Sequence, residues 1–305
     1  MTFPLLRLPL LASIEVIKNT DVKYLIPLIE LSKKAKNLVK VSKVHIELTV
    51  FESRIQFQKL ANQVIGHTLD FLSLSEETPK NLPFKPPCRQ KCDFGIQYEI
   101  RAFKKVMDDF LEFFKVCSVS FELETTSSDT SLCFMEYARD LGLKFSTARV
   151  VIGGSNGEIC QSLLKVCSNA SQLLVLFDTE EVFTFHGFNE YRMHKFRFIT
   201  KNRFFNWFTV DQMCALINCS EVSVSELNWS NEDYKKFIKF WMASNGNLKS
   251  CKLWALRLCI VPWFVMDGIN HRELGPHTYE IQRADGVKAE VALSYSTCYL
   301  TVIDA

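Results

Sequence analysis

The chain lacks a marked excess of charge of either sign. Its 36 lysine and arginine residues nearly balance 34 aspartate and glutamate residues, which leaves a formal net charge of +2. A protein that binds nucleic acid mainly through phosphate contacts usually carries a clear basic excess. We therefore expect no nucleic-acid partner.

Long apolar runs are also missing. No stretch reaches the roughly 18 consecutive apolar residues that a transmembrane helix needs, so we expect no membrane-spanning segment and no membrane partner. Apolar residues nevertheless make up 48% of the chain and include 25 phenylalanines. A composition of this kind supports a sizeable core and argues against disorder.

The sequence gives little indication of an oxidising compartment. Its eleven cysteines are odd in number and most lie among apolar neighbours, which is typical of free thiols in a reducing compartment. Secretion is the rival interpretation, because residues 1–13 resemble a short signal sequence and three N-x-S sequons occur. However, Arg7 interrupts the apolar start, and about two such sequons are expected by chance. We expect a cytoplasmic protein, with the nucleus as the alternative.

Motifs that carry catalysis or bind a cofactor are absent or incomplete. The chain has no H-E-x-x-H sequence, and residues 153–157, which fit the G-x-S-x-G pattern, read as a turn. Cys88 and Cys92 would supply half of a zinc site, but no second Cys/His pair is evident. We expect no enzymatic activity, no cofactor and no metal. An unrecognised hydrolase or transferase would require a deep pocket with convergent polar groups.

Two further segments resemble ligand sites and have simpler interpretations. Residues 153–158 link a strand to a helix, as phosphate loops do, yet they lack the lysine of the P-loop and read as a turn. Residues 195–208 interleave basic and aromatic side chains, as platforms for single-stranded nucleic acid do. Their alternation also fits the inward face of a strand, and the near-neutral charge favours that interpretation.

The N-terminal residues predict three short helices. Residues 1–41 contain 22 apolar residues without strand alternation. Apolar spacing up to Ile17 indicates the first helix, Thr20-Asp21 offers an N-cap for the second, and Ser32 to Val41 forms the third. Three helices of this length cannot bury so much apolar surface among themselves. A partner or the rest of the chain should therefore cover the excess.

The remainder of the chain predicts an α/β fold. Residues 44–57 read as a β-hairpin, and the proline-rich residues 73–93 read as a long exposed loop. Strand-like segments then recur, several followed by capped amphipathic helices, and residues 277–304 read as a closing hairpin. The pattern suggests a degenerate leucine-rich-repeat-like curved β-sheet with outer helices. The strand-like segments centre near Val119, Val150, Leu173, Phe196, Val222, Leu253 and Tyr279.

The N-terminal helices resemble the F-box, in the form used by the large nematode F-box family. Leu8-Pro9 matches the opening Leu-Pro of that family, and Ile17, Leu25 and Leu28 match its recurring apolar positions. The resemblance implies a three-helix F-box over residues 1–43. It also implies binding to a Skp-type adaptor, and through it to a cullin scaffold. The adaptor-binding residues would be Leu8, Pro9, Ile17, Leu25, Leu28 and Leu31.

Four positions depart from the F-box pattern. Leu10 and Leu11 stand where acidic residues commonly follow the Leu-Pro, and Ala35 stands where many F-boxes carry tryptophan. Pro27 lies inside the predicted second helix, where it lacks a backbone N–H and should bend or shift that helix.

A second resemblance lies far downstream. Residues 227–241 resemble the signature of the type 2 F-box-associated domain of the same family, and the likeness spans roughly residues 195–300. It implies that residues 44–305 bind a protein target, without identifying the target or the residues that hold it. The two resemblances together imply a substrate-recognition subunit of a Skp–cullin–F-box E3 ubiquitin ligase. Such a subunit positions a target for ubiquitination and does no chemistry. The alternative is a repeat-like protein-binding module not coupled to a ligase, with the N-terminal helices as a cap.

Overall fold

The described part of the chain forms two compact units. The computed structural model describes residues 5–52, 54–59, 67–70, 91–124, 126–153, 157–178, 185–200, 208–257 and 260–303. The first unit comprises residues 1–123 and 133–146, and the second comprises residues 124–132 and 147–305. The three N-terminal helices share a unit with later elements, and the division into a domain of residues 1–43 and one of residues 44–305 stays a prediction.

The N-terminal helices form as the sequence predicted. They are α1 (Leu10–Asn19), α2 (Val22–Leu31) and α3 (Lys33–Ser42). The Asp21 carboxylate accepts a hydrogen bond from the Lys23 backbone N–H, and the Ser32 hydroxyl accepts one from Ala35, which satisfies donors at the starts of α2 and α3. Helix α2 continues through Pro27 to Leu31.

A small sheet completes the first unit together with a long helix. The strand order is β3-β2-β1-β4, in which β1 and β2 form the predicted antiparallel hairpin and β1 runs parallel to β4. The strands are β1 (His45–Val50), β2 (Arg54–Lys59), β3 (His67–Asp70) and β4 (Lys115–Leu123).

Helix α4 overlaps the end of the segment 73–93, which the sequence predicted to be a long exposed loop. It spans Lys91–Phe113 and so includes the end of that segment, while residues 73–90 lie outside the described residues. Phe103, Met107 and Phe110 follow one another at helical spacing and are buried. The Phe110 ring lies 5.1 Å from that of Phe57 on β2, measured between centroids. Burial of this apolar stripe against the sheet stabilises a helix that the sequence interpretation missed.

Helix α5 (Ser128–Asp140) and strand β5 (Phe145–Gly153) contribute residues to both units. The second unit contains a sheet in the order β10-β11-β12-β13-β9-β8-β7-β6-β5. Its helices are α6 (Gly157–Cys167), α7 (Val210–Ala215), α8 (Asn231–Ala243) and α9 (Pro262–Met266). Its further strands are β6 (Ala170–Asp178), β7 (Lys195–Thr200), β8 (Glu221–Leu227), β9 (Ser250–Ala255), β10 (Arg272–Gly275), β11 (Thr278–Gln282), β12 (Lys288–Leu293) and β13 (Thr297–Val302).

The parallel strands of the second unit run side by side in chain order. Strand β6 pairs with β7, β7 with β8, and β8 with β9, with α7 and α8 in the last two connections. Right-handed crossovers that advance in one direction place their helices on the same side of a sheet. The alternation of parallel strands and helices confirms the predicted α/β fold, and all seven predicted strand centres lie in strands.

Antiparallel strands close the second unit as predicted. Strands β11, β12 and β13 pair in succession, and β13 then pairs with β9. Asp285 and Gly286 form the turn between β11 and β12, where Gly286 has a φ of 92° that favours glycine. Hydrogen bonds from Arg283 hold the pKa of Asp285 below its ordinary value.

None of the helices in the described ranges is both long enough and apolar enough to cross a bilayer.

Cys117, Cys167, Cys214, Cys219, Cys251 and Cys298 are free thiols. Burial raises the pKa of Cys219 to about 11 and that of Cys298 to about 12. The thiolate is the nucleophile that attacks a thiol reagent, so we expect these thiols to be unreactive in the native protein at about pH 8, while the half-buried Cys117 reacts. Mass mapping after labelling checks this, with guanidinium-unfolded protein as control. Equal native labelling of Cys298 and Cys117 would contradict the burial.

Candidate functional site

The structure offers two surfaces for binding, one in each unit. The first lies on the N-terminal helices. Ile17, Leu25, Ala35 and Val39 have no exposed surface and form the core that joins α1, α2 and α3. The Ser13 hydroxyl donates to the Leu5 and Leu8 carbonyl oxygens and ties the start of the chain to α1.

This core changes the predicted set of adaptor-binding residues. Ile17 and Leu25 were expected to contact the adaptor, but both are fully buried within the chain, so no partner reaches them in this structure. Of the other predicted residues, Leu8 and Leu28 are half-buried, whereas Pro9 and Leu31 are exposed. The apolar pattern identified buried positions correctly, and contact of the other predicted residues with an adaptor stays a prediction.

Large apolar side chains remain exposed on the same helices. Leu11 is 78% exposed on α1 and Leu31 is 75% exposed on α2. Leu10 and Tyr24 are also mostly exposed. The sequence interpretation treated Leu10 and Leu11 as departures from the F-box pattern and did not single out Tyr24. Concentrations of exposed apolar surface commonly mark protein interfaces.

Helices α2, α3 and α4 border a groove of about 280 Å³. Ile26, Ile29 and Phe110 contribute apolar lining. The Glu112 carboxylate lies 3.8 Å from Lys36 Nζ and 3.6 Å from Lys40 Nζ, which links α3 to α4. These exposed ion pairs stabilise the contact only modestly. The N-terminal helices are thus joined to their own unit along one side.

The second surface lies on the sheet of the second unit. Along β7, Phe196 and Phe198 are buried while Lys195 and Arg197 are exposed, so the alternation separates two faces of the sheet. This confirms the core interpretation for the aromatic residues of β7. The strand register places Arg197 beside Ser223, and Ser223 beside Lys252. We call the side of the sheet that carries Arg197, Ser223 and Lys252 the open face.

The opposite side of that sheet packs against helices whose N-termini are capped by residues close to them in sequence. Thr209 and Gln212 form a capping box at the start of α7, as predicted. Ser230 and Asp233 form another at the start of α8. The α8 residues with buried side chains are Tyr234, Phe237, Ile238 and Trp241, which is the predicted apolar stripe.

Comparison with known proteins gives a family match in the second unit. Residues 187–253 match the F-box associated family, a segment that begins before β7 and ends within β9. It includes Arg197, Ser223 and Lys252 as well as the whole of α8. The chain carries an F-box-associated domain. The prediction from residues 227–241 is therefore confirmed.

A curated relative of the chain is the Skn-1 dependent zygotic transcript 15 protein of Caenorhabditis elegans. The two are 26% identical over 215 residues, which cover 64% of this chain. The match spans 60% of the relative's length, so the relative is considerably longer than the matched part. No solved structure matches the chain. The family match at residues 187–253 and this nematode relative together support a nematode-type protein with an F-box-associated domain.

Most residues of the other candidate sites lie outside the part of the chain that the structure describes. The described residues contain no group of three His, Cys, Asp or Glu side chains that could hold a metal ion. Cys88, the Cys92 side chain and residues 154–156 lie outside the described residues, as do residues 201–207 of the basic and aromatic segment.

Proposed function

We propose that the chain is the substrate-recognition subunit of a Skp–cullin–F-box E3 ubiquitin ligase. The observation that carries this proposal is the F-box-associated domain at residues 187–253. Helices α1, α2 and α3 then serve as the F-box, because they occupy the expected N-terminal position and expose apolar side chains.

Adaptor binding in this proposal uses the exposed apolar side chains rather than the buried ones. Leu10, Leu11, Tyr24 and Leu31 are each more than half exposed on α1 and α2. Pro9 is exposed beside them in sequence, and Leu8 and Leu28 are half-buried. Burial of such side chains by an adaptor supplies the favourable free energy of docking.

The proposed subunit acts by positioning and has no chemistry or cofactor of its own. The N-terminal helices bind a Skp-type adaptor, and through it a cullin, while the remainder of the chain holds a target. Bringing the target beside the conjugating enzyme raises their effective concentration. We further propose that the sheet curves in the manner of leucine-rich repeats and that the protein acts in the cytoplasm.

A second candidate function is a binding module that is not coupled to a ligase. It is favoured by the complete burial of Ile17 and Leu25 within the chain. The contacts of Lys36 and Lys40 with Glu112 also tie α3 to α4, as a helical cap would be tied. In that case the N-terminal helices only protect the end of the fold.

A pulldown of purified Skp-type adaptor separates the two functions. We expect the wild-type chain to retain the adaptor and a Leu11→Asp, Leu31→Asp variant to bind at least about thirtyfold more weakly, because each change places a charge in an apolar interface. The matched control is Leu274→Asp with Ile303→Asp, which changes two exposed apolar residues of the second unit.

The control should bind the adaptor like the wild type. Both double variants should also keep the wild-type circular dichroism spectrum, since all four side chains are exposed. No adaptor binding by the wild-type chain would contradict the ligase proposal and leave the uncoupled module.

A further inference from the structure

The open face presents side chains in register across four strands. Arg197 on β7 lies beside Ser223 on β8, Ser223 beside Lys252 on β9, and Lys252 beside Tyr299 on β13. Neighbouring strands lie about 4.8 Å apart, so the Cα atoms of Arg197 and Lys252 are separated by roughly 10 Å. The alternating residues of these strands are buried. The four side chains therefore project from the same side of the sheet.

Lys252 is held between two aromatic rings. Its Nζ lies 4.4 Å from the ring centroid of Trp254 and 4.6 Å from that of Tyr299. Cation–π attraction favours this position of the ammonium group. Within the described ranges neither Lys252 nor Arg197 forms an ion pair with a carboxylate at 4.0 Å or less. Two cations and two rings are thus available to a partner.

Several cations on this and the neighbouring strands are already paired with carboxylates. Lys195 Nζ lies 3.7 Å from a Glu221 oxygen. Arg272 and Lys288 lie 2.7 Å and 3.4 Å from Glu280 oxygens. The centre of the open face therefore offers uncompensated positive charge, which is complementary to carboxylates.

Carboxylates also border the centre of the open face. Glu221 and Glu290 lie in one row, in register with Ser250 and Thr301 between them, two residues along the strands from Lys252. Lys195 compensates Glu221, and the Glu290 carboxylate would repel the continuous charge of a nucleic acid more than a short acidic peptide that can bind beside it. A net charge of only +2 for the whole chain points the same way.

We propose that the open face around Arg197, Lys252, Trp254 and Tyr299 is the target-binding site and that it binds an acidic protein segment. Carboxylates of the segment meet the two cations, and an apolar side chain packs on the rings. An arginine guanidinium binds a carboxylate with two parallel hydrogen bonds, and aromatic residues with arginine dominate the energetics of protein interfaces. This inference rests on the proposed function, since it names the target class of that receptor.

Selection from a displayed library of random peptides tests the proposal with the full chain alone. The immobilised proteins are the wild type, an Arg197→Glu, Lys252→Glu variant and a Lys165→Glu, Lys239→Glu control. The control lysines are exposed on α6 and α8, so the change in net charge is identical. We expect the wild type and the control to enrich peptides that combine acidic and apolar residues. A selected peptide should bind the open-face variant roughly ten- to a hundredfold more weakly.

Several outcomes would overturn the proposal. They are a selection without acidic enrichment, an equal loss of peptide binding in the control, and unchanged binding by the open-face variant. Tighter binding of a single-stranded oligonucleotide than of any selected peptide would assign the face to nucleic acid instead. A dimer in sedimentation that the open-face variant disrupts would assign it to a second copy of the chain.

Two features of the design keep the result interpretable. An Arg197→Gln, Lys252→Gln variant removes the charges without reversing them, so it can replace the Glu variant if that variant unfolds. It should also bind the selected peptide more weakly than the wild type. The adaptor is not present in the selection. A failure here therefore contradicts only the target site, whereas failure of the adaptor pulldown contradicts only the ligase proposal.

Discussion

Replacing Trp241 with alanine is expected to lower the free energy of unfolding by about 3–5 kcal/mol, the usual range for a buried tryptophan. Trp241 has no exposed surface and is the largest fully buried side chain of the described residues. Its indole N–H donates to the Leu248 carbonyl oxygen at 3.4 Å, and the Arg283 guanidinium lies 5.4 Å from the ring centroid. Truncation would leave a cavity and remove the hydrogen-bond donor to a buried carbonyl.

Urea denaturation measures the effect of Trp241→Ala, with Trp263→Ala as the matched control. Trp263 is 72% exposed on α9, so its removal should change the free energy of unfolding by less than about 0.5 kcal/mol. Similar losses in the two variants would contradict the packing of α8. Because α8 packs against the side of the sheet opposite the open face, Trp241→Ala should also weaken binding of the peptides that the wild type selects.

The elements that the sequence predicted best are those with local determinants. The apolar stripe of α8 and its Ser230 cap lie within one continuous segment, so periodicity and capping identified both. The same holds for the capping box of α7, for α1 to α3, and for the hairpin of β1 and β2. In each case the residues that determine the structure are near neighbours in the chain.

Helix α4 was missed because its signal was mixed with contrary signals. Four prolines, from Pro79 to Pro87, precede it and indicate a loop. The apolar stripe that includes Phe103, Met107 and Phe110 was present in the sequence, but it overlaps a region beyond residue 98 where strand-like segments recur. Contact with Phe57 on β2 then stabilises the helix, and no local pattern reveals that contact.

The candidate surfaces were harder to predict because they depend on residues that are distant in sequence. A hydrophobic pattern indicates that Ile17 and Leu25 need cover, but it does not show whether the chain or a partner supplies it. The open face is assembled from Arg197, Lys252 and Tyr299, which come together only through strand register. Alternation of Lys252 and Trp254 with buried neighbours was the available signal, and the sequence interpretation did not use it.

Gly246→Ala is expected to destabilise the second unit by about 3 kcal/mol, at the upper end of the usual cost of overpacking. A Cβ at Gly246 would lie 2.5 Å from Ile217 Cγ1 and 2.6 Å from the Ile217 carbonyl oxygen. Neither atom yields easily, because Cγ1 belongs to the buried, β-branched Ile217 side chain and the carbonyl oxygen belongs to the backbone. Arg283 also donates to the Gly246 carbonyl oxygen at 2.7 Å, which holds this segment in place. Relief of the clash therefore requires movement of the connection between α8 and β9.

Gly275→Ala provides the control, because a Cβ at Gly275 would meet nothing within 4 Å. Reduced freedom of the unfolded chain should make that variant neutral or more stable by up to about 1 kcal/mol. Thermal unfolding of the two variants beside the wild type gives the comparison. If Gly246→Ala were as stable as Gly275→Ala, the connection between α8 and β9 would be able to move and accommodate the added methyl group. Close packing of residue 246 on Ile217 would then not fix the position of β9. Since Lys252 and Trp254 lie on β9, a destabilised Gly246→Ala should also bind acidic peptides less tightly than the wild type.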